Sequence, residues 1–252
     1  MASDVEMALG DSDFPTERDW LGTPQAFNPL PRALVLELAV RLAHTVEGDI
    51  IEFGVAEGAS TRTLRRVLSE CQRTQLSGRR KRIFGCDSFE GLTENYENAT
   101  PGTFACDPPR IRGVEIVKGF FETSLTPELA RRVGSVSLAS LDADLFSSTL
   151  TALNWLTPLL HTGSLLLFDE YLGEKESERR AHEQWQAESG VRTVKVAEFF
   201  RGPSGWGSSP DRRVLFQVVD SDSIVVSGVR TIRDIVMPAR RVAHRVLRAV
   251  RR

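Results

Sequence analysis

The stretch Asp49-Ile-Ile-Glu-Phe-Gly-Val-Ala-Glu-Gly-Ala-Ser-Thr61 decides the fold. Its first residues carry the short apolar run Ile50-Ile51, the signature of a buried strand. The chain then passes through Gly54 and Gly58 into Ser60-Thr61, where a helical pattern starts. A strand, a glycine turn and a helix N-terminus form a cradle for a polar ligand. Glycine lets the backbone approach closely, and the unpaired N–H groups of a first helical turn attract anionic groups. The spacing Glu-x-Gly-x-x-x-Gly differs from the Gly-x-Gly-x-x-Gly dinucleotide fingerprint, so a nicotinamide site is the weaker reading. About thirty residues on, Arg82-Ile-Phe-Gly-Cys-Asp87 reads as a second strand ending in an acid. An acid at that point of such a unit is placed to hold a ribose diol.

Outward from this core, strand and helix patterns alternate. Leu34, Leu38, Leu42 and Val46 predict a helix over Pro31–Glu47. A helix follows the glycine turn at about 59–70. Val114–Lys118 is a third strand, Thr126-Pro127-Glu128 opens a short helix, and Val136–Leu141 is a fourth strand ending in Asp142-Ala143-Asp144. Ser147–Leu160 is a helix. Ser164–Phe168 is a fifth strand ending in Asp169-Glu170-Tyr171, followed by a charged helix, Glu174–Ser189. Thr193–Phe200 and Arg213–Val219 flank a Gly/Pro/Ser loop and pair as a terminal hairpin. The sum is an α/β fold: a doubly wound, mostly parallel seven-stranded sheet, Rossmann-like, with ligands at the carboxyl ends of the strands. The polar stretch after Asp87, up to Gly113, is long enough to act as a lid. Three units are expected: an N-terminal arm and helix over 1–47, the main domain over 48–220, and a basic tail over 221–252.

Composition bounds the function. The chain has 252 residues, is 41% hydrophobic and 26% charged, and carries a net charge of −2, which gives no electrostatic case for nucleic acid. No apolar run is long enough to span a bilayer, and the opening Met-Ala-Ser-Asp-Val-Glu lacks a signal-peptide pattern. Cys71, Cys86 and Cys106 show no metal-ligand spacing and suit a reducing compartment, so a cytoplasmic protein is expected. The aromatics of the acidic arm, Phe14, Trp20 and Phe27, dock on the body, cover a pocket, or meet a second copy of the chain. The tail over 239–252 is a basic amphipathic pattern that fits a frayed end, a helix on an acidic neighbour, or a membrane-surface contact.

Four segments carry a family resemblance: Glu52–Thr61, Phe84-Gly-Cys-Asp-Ser-Phe-Glu-Gly-Leu92, Leu141-Asp-Ala-Asp-Leu-Phe-Ser-Ser-Thr149 and Phe168-Asp-Glu-Tyr171. In this order they resemble the macrocin O-methyltransferase family, class I S-adenosylmethionine-dependent enzymes that methylate sugar hydroxyls of natural products. The resemblance implies that Glu52, Gly54, Gly58 and Ser60 form the cofactor loop, that Asp87 holds the ribose, and that Ser88, Phe89 and Phe121 border the adenosine. It also implies a magnesium site of Asp142, Asp169 and Glu170, with Glu170 standing where the family has Asp. Phe146 stands where the family has tyrosine. The acceptor is then a small glycosylated molecule, with a phenolic or amine acceptor, or a nucleoside-binding scaffold without turnover, as the alternatives. Asp144 and His182 are candidate proton acceptors, as is Asp142 itself. Asp144 also suits a helix cap, and His182 a solvated face. Tyr171 and Trp185 read as core or rim residues.

Overall fold

The computed structural model describes residues 31–74, 79–96, 99–172, 176–202 and 211–220. The N-terminal arm, most of the 201–210 loop and the basic tail lie outside these residues. The element order is α1 (Arg32–Ala43), β1 (Asp49–Phe53), α2 (Ala59–Thr74), β2 (Ile83–Asp87), β3 (Glu115–Lys118), α3 (Phe121–Ser124), α4 (Pro127–Val133), β4 (Val136–Leu141), α5 (Phe146–Leu156) with a 3₁₀ turn at Thr157–Leu159, β5 (Leu165–Phe168), α6 (Ser177–Ser189), β6 (Arg192–Gly202) and β7 (Asp211–Val219).

The strands form one seven-stranded sheet in the order β3-β2-β1-β4-β5-β7-β6. The pairs from β3 to β5 are parallel, and β7 runs antiparallel to both β5 and β6. The expected terminal hairpin is present, with β7 as its inner strand. The central strands β1, β4 and β5 are buried along their whole length, as strands covered on both faces must be. Alternation divides their side chains between two cores. Ile51, Phe53, Leu166 and Phe168 face α5 and α6, with Trp185. Ile50, Leu165 and Leu167 face α1 and α2, with Leu36, Val40, Leu64 and Leu68. The first helix, assigned by sequence to the arm, thus shares the core of the sheet, and it stops at Ala43 rather than Glu47.

Local signals held where the chemistry is local. Thr126 caps α4 by accepting from the Leu129 N–H at 3.2 Å, with Pro127 at the first position. No helix among the described residues is long and apolar enough to cross a membrane.

Candidate active site

The parallel ladders run past the strand ends and set the loops in a row. Gly54 N–H donates to Cys86 O at 3.0 Å, Asp142 N–H to Phe53 O at 2.9 Å, Asp169 N–H to Leu141 O at 3.0 Å, and Gly119 N–H to Asp87 O at 2.9 Å. Gly54, Asp87, Asp142 and Asp169 therefore share the carboxyl edge of the sheet. At Gly54, φ is +87°, and a Cβ would lie 1.9 Å from the Asp142 carbonyl oxygen, so only glycine fits.

A cleft of about 320 Å³ opens at this edge, lined by Gly54, Ala56, Asp87, Ser88, Phe121, Asp142, Asp144 and Glu170 among others. Its size suits a small-molecule site. The loop after β2 forms one wall. Its Leu92, Tyr96 and Ala99 pack with Leu145, and the Tyr96 hydroxyl donates to Glu170 Oε2 at 2.9 Å. Phe121 opens α3 and sets its ring edge against Phe53 at 5.4 Å.

Asp87 is the clamp of the glycine turn. Its Oδ2 accepts the N–H groups of Val55 at 2.7 Å and Ala56 at 2.8 Å, and its Oδ1 accepts that of Phe89 at 2.8 Å. A carboxylate offers about four acceptor positions, so little remains for the two bonds expected to a ribose diol. Glu52 is fully buried beneath the turn, where Thr61 Oγ1 donates to its Oε2. Burial pushes Glu52 up to about 7, against the pull of Ser60, Thr61 and Arg32, and its Oε1 is buried without a hydrogen-bond partner among the described residues. Glu52, Gly58, Ser60 and Phe89 are not among the residues that line this cleft. Ser60 bonds Glu52, Phe89 is buried, and a Cβ on Gly58 would meet Ile111 at 2.8 Å and Pro109 at 3.0 Å.

The expected magnesium trio takes a different form. Arg32, the first residue of α1, bonds Asp142 Oδ2 through Nη2 and sets its Nε 3.3 Å from Asp169 Oδ1. Arg213 of β7, itself buried, forks onto Asp169 at 2.6 and 3.5 Å. Glu170 meets Tyr96, and its backbone N–H donates to Glu178 Oε2 at 2.9 Å. Among the described residues, no three His, Cys, Asp or Glu side chains are arranged to hold a metal ion. The residues present therefore do not fit a magnesium site. Burial raises Asp142 above the ordinary carboxylate range; Arg32 opposes this, while Asp169 and Glu170 reinforce it. Burial alone would lower the Arg32 guanidinium, but Asp142, Asp169 and Glu52 more than offset it and hold it charged.

His182 is not a base for this cleft, and it is not solvated. It is fully buried, with Nδ1 2.9 Å from the Tyr171 hydroxyl and Nε2 3.1 Å from Thr193 Oγ1, among the rings of Phe168, Trp185 and Phe216. Burial pushes it down to about 4, so it is neutral at pH 7. Tyr171 and Trp185 are core residues. Asp144 lines the cleft at φ +55°, a conformation costly for a non-glycine residue, and the N-cap position of α5 falls on Leu145. Phe146 carries the Arg180 guanidinium over its ring at 5.3 Å.

Sequence reading missed Arg32, Tyr96, Glu178 and Arg213. One signal was available for Glu178: with Ala181, His182 and Trp185 it follows the i, i+3, i+4, i+7 spacing of a buried helix face. Glu178 is fully buried, which raises it well above the ordinary carboxylate range, and its Oε1 has no hydrogen-bond partner among the described residues.

Comparison with known proteins agrees with this architecture. Residues 51–171 match the model of a methyltransferase domain family. The 8-demethyl-8-(2,3-dimethoxy-alpha-L-rhamnosyl)-tetracenomycin-C 4'-O-methyltransferase of Streptomyces olivaceus is 28% identical over 178 residues, which span 61% of this chain and 65% of that enzyme. The alignment thus covers just under two thirds of the relative's length. Among solved structures, the O-methyltransferase NovP superposes with a TM-score of 0.57 at 17% identity over 75% of this chain and 80% of that one. The calicheamicin methyltransferase CalS11 does so with a TM-score of 0.56 at 18% identity over 84% of each chain. These two likenesses show the fold. The domain match over 51–171 falls on the glycine turn clamped by Asp87 and on the strand ends that carry Asp142 and Asp169, and the chain has the fold of these methyltransferases.

Proposed function

We propose that this protein transfers a methyl group from S-adenosylmethionine to a hydroxyl oxygen of a small glycosylated natural product, with a sugar hydroxyl as the acceptor. The carrying observation is one cleft that joins the Asp87-clamped turn to the acids Asp142 and Asp144. The printed activity of the Streptomyces olivaceus relative, a 4'-O-methyltransferase on a rhamnosyl group, supports the acceptor class.

The chain's residues fit the cofactor. The turn offers backbone at Gly54 and Ala56, Phe121 supplies an aromatic wall, and Glu52 Oε1, without a hydrogen-bond partner among the described residues, lies beneath the turn. An acidic edge suits a ligand that carries a sulfonium and an ammonium. When bound, the cofactor supplies an electrophilic methyl on a good leaving group. The protein then has two tasks, to orient the acceptor oxygen and to take its proton. Asp142, more basic than an ordinary carboxylate and lining the cleft, is assigned the proton. The new C–O bond forms as the C–S bond breaks, and sulfur keeps the electron pair. We place the catalytic unit at 48–220 together with α1, in the cytoplasm.

The test is calorimetric binding of S-adenosylhomocysteine, followed by labelled methyl transfer to a panel of rhamnosyl glycosides, phenols and amines. Binding and label on the glycosides are expected. Label on phenols or amines alone would overturn the acceptor class. Binding without transfer to any acceptor would favour a scaffold, and no binding would overturn the whole reading.

A further inference from the structure

We propose that Arg32 is a built-in cation standing where the family resemblance puts a metal ion, so that the acidic edge of this protein works without a divalent cation. The inference rests on the methyl-transfer reading above.

Arg32 enters the cleft from the start of α1 and bonds Asp142 while its Nε lies 3.3 Å from Asp169. Arg213 holds Asp169 from the far strand, with Nε on Oδ1 at 2.6 Å. Two carboxylates thus face two guanidinium groups, and their charges cancel. Magnesium needs several oxygen ligands close around it in near-octahedral order. Here Asp142 Oδ2 and both oxygens of Asp169 already accept from or face N–H donors, and the third expected ligand, Glu170, accepts from Tyr96. A divalent ion would have to displace Arg32 and sit against the charge of Arg213, which is buried and cannot leave without breaking its fork. Guanidinium stays protonated at any working pH, so the internal cation is permanent. What a metal would give the acceptor is a fixed positive charge beside its oxygen. Arg32 can give the same through its N–H groups. Since it holds its proton, it positions the oxygen and leaves the proton to a carboxylate.

The geometry separates two kinds of ligand-free state. An open carboxylate trio would take up a cation without rearrangement, whereas this edge must first lose one. The probe is Mn²⁺, titrated into the full chain and followed by its electron paramagnetic resonance signal, for the natural sequence, Arg32→Lys, Arg32→Ala and Arg32→Gln. The natural protein and Arg32→Lys are expected to take up no Mn²⁺ below about 1 mM, the weak end of carboxylate sites. Arg32→Ala should bind about tenfold more tightly or better, and Arg32→Gln, which keeps the shape without the charge, should follow it if the smaller side chain fails to fold. Methyl transfer by the natural protein should survive chelator unchanged. Uptake by the natural protein as tight as by the neutral variants would overturn the inference, as would activity lost on chelation and restored by Mg²⁺. S-adenosylhomocysteine binding on the same samples reads the methyl-transfer assignment separately. A protein that binds neither nucleoside nor Mn²⁺ refutes that assignment, while the contrast between Arg32 and its neutral variants still judges the internal cation.

Discussion

The two halves of the strand-end edge handle their acids in opposite ways. On the β1–β2 side, Asp87 is satisfied by three backbone N–H groups, all from the turn beside it or from its own loop. On the β4–β5 side, Asp142 and Asp169 are satisfied by side-chain cations brought from α1 and β7, 110 residues away for the Arg32–Asp142 bond and 44 for Arg213–Asp169. Backbone donors carry no net charge, so the first half stays acidic toward a cationic ligand. Guanidinium donors neutralise the second half and leave it a fixed, charge-balanced wall. The difference teaches that acids sharing one edge of a sheet need not share a role. What decides is the net charge of what they are bonded to.

The largest effect should come from breaking the backbone half. Gly54→Ala places a Cβ 1.9 Å from the Asp142 carbonyl oxygen in a residue at φ +87°. Strain of this kind belongs among the few mechanisms that reach about 4 kcal/mol or more. Chemical denaturation should show that loss, and S-adenosylhomocysteine binding should vanish in whatever still folds. A variant that kept natural stability and affinity would show that the turn is soft and that Asp87 does not fix it.

This contrast also explains what could be read in advance. The Gly54 turn, Asp87 and the alternating strands were legible because their determinants lie within one strand–turn–helix unit. The buried runs at Ile50-Ile51 and Leu165–Phe168 could hardly be anything but inner strands. The arginine half was opaque. Arg32 is one of many arginines, and its sequence neighbours say nothing of Asp142. Arg213 sits in the strand Asp211–Val219, where periodicity marks a position as inward but cannot say that an arginine there will be paired. His182 was misread because the charged composition of α6 hid its buried stripe, Glu178, Ala181, His182 and Trp185. Partners far apart in sequence are set by topology, and a single sequence states topology only through local pattern.

The next effect sharpens the guanidinium half. Arg213→Ala removes the fork from buried Asp169 while Arg32 stays beside it, and breaking a buried pair from one side costs about 3–5 kcal/mol. Replacing both partners, as Arg213→Met with Asp169→Leu, should cost much less, because no charge is then stranded. Urea denaturation of the two single variants and the double would give a large coupling energy. If the single and double variants lost the same stability, the pair would be a solvated contact and the wall would not be charge-balanced in the sense argued here.

The smallest effect lies where the two halves meet. Tyr96, on the loop that follows the backbone-satisfied strand, donates to Glu170 at the end of the guanidinium-bound one. Tyr96→Phe removes that hydroxyl and keeps the ring against Leu92 and Leu145. Loss of one such bond, with Glu170 still partly open to water, is worth about 1 kcal/mol. If the bond holds the loop wall over the acceptor, KM for the acceptor should rise about fivefold with kcat unchanged, since binding of ground state and transition state would weaken alike. A drop in kcat at constant KM would instead place the Tyr96 hydroxyl at the reacting oxygen, and the two halves would then meet through the chemistry and not through the loop.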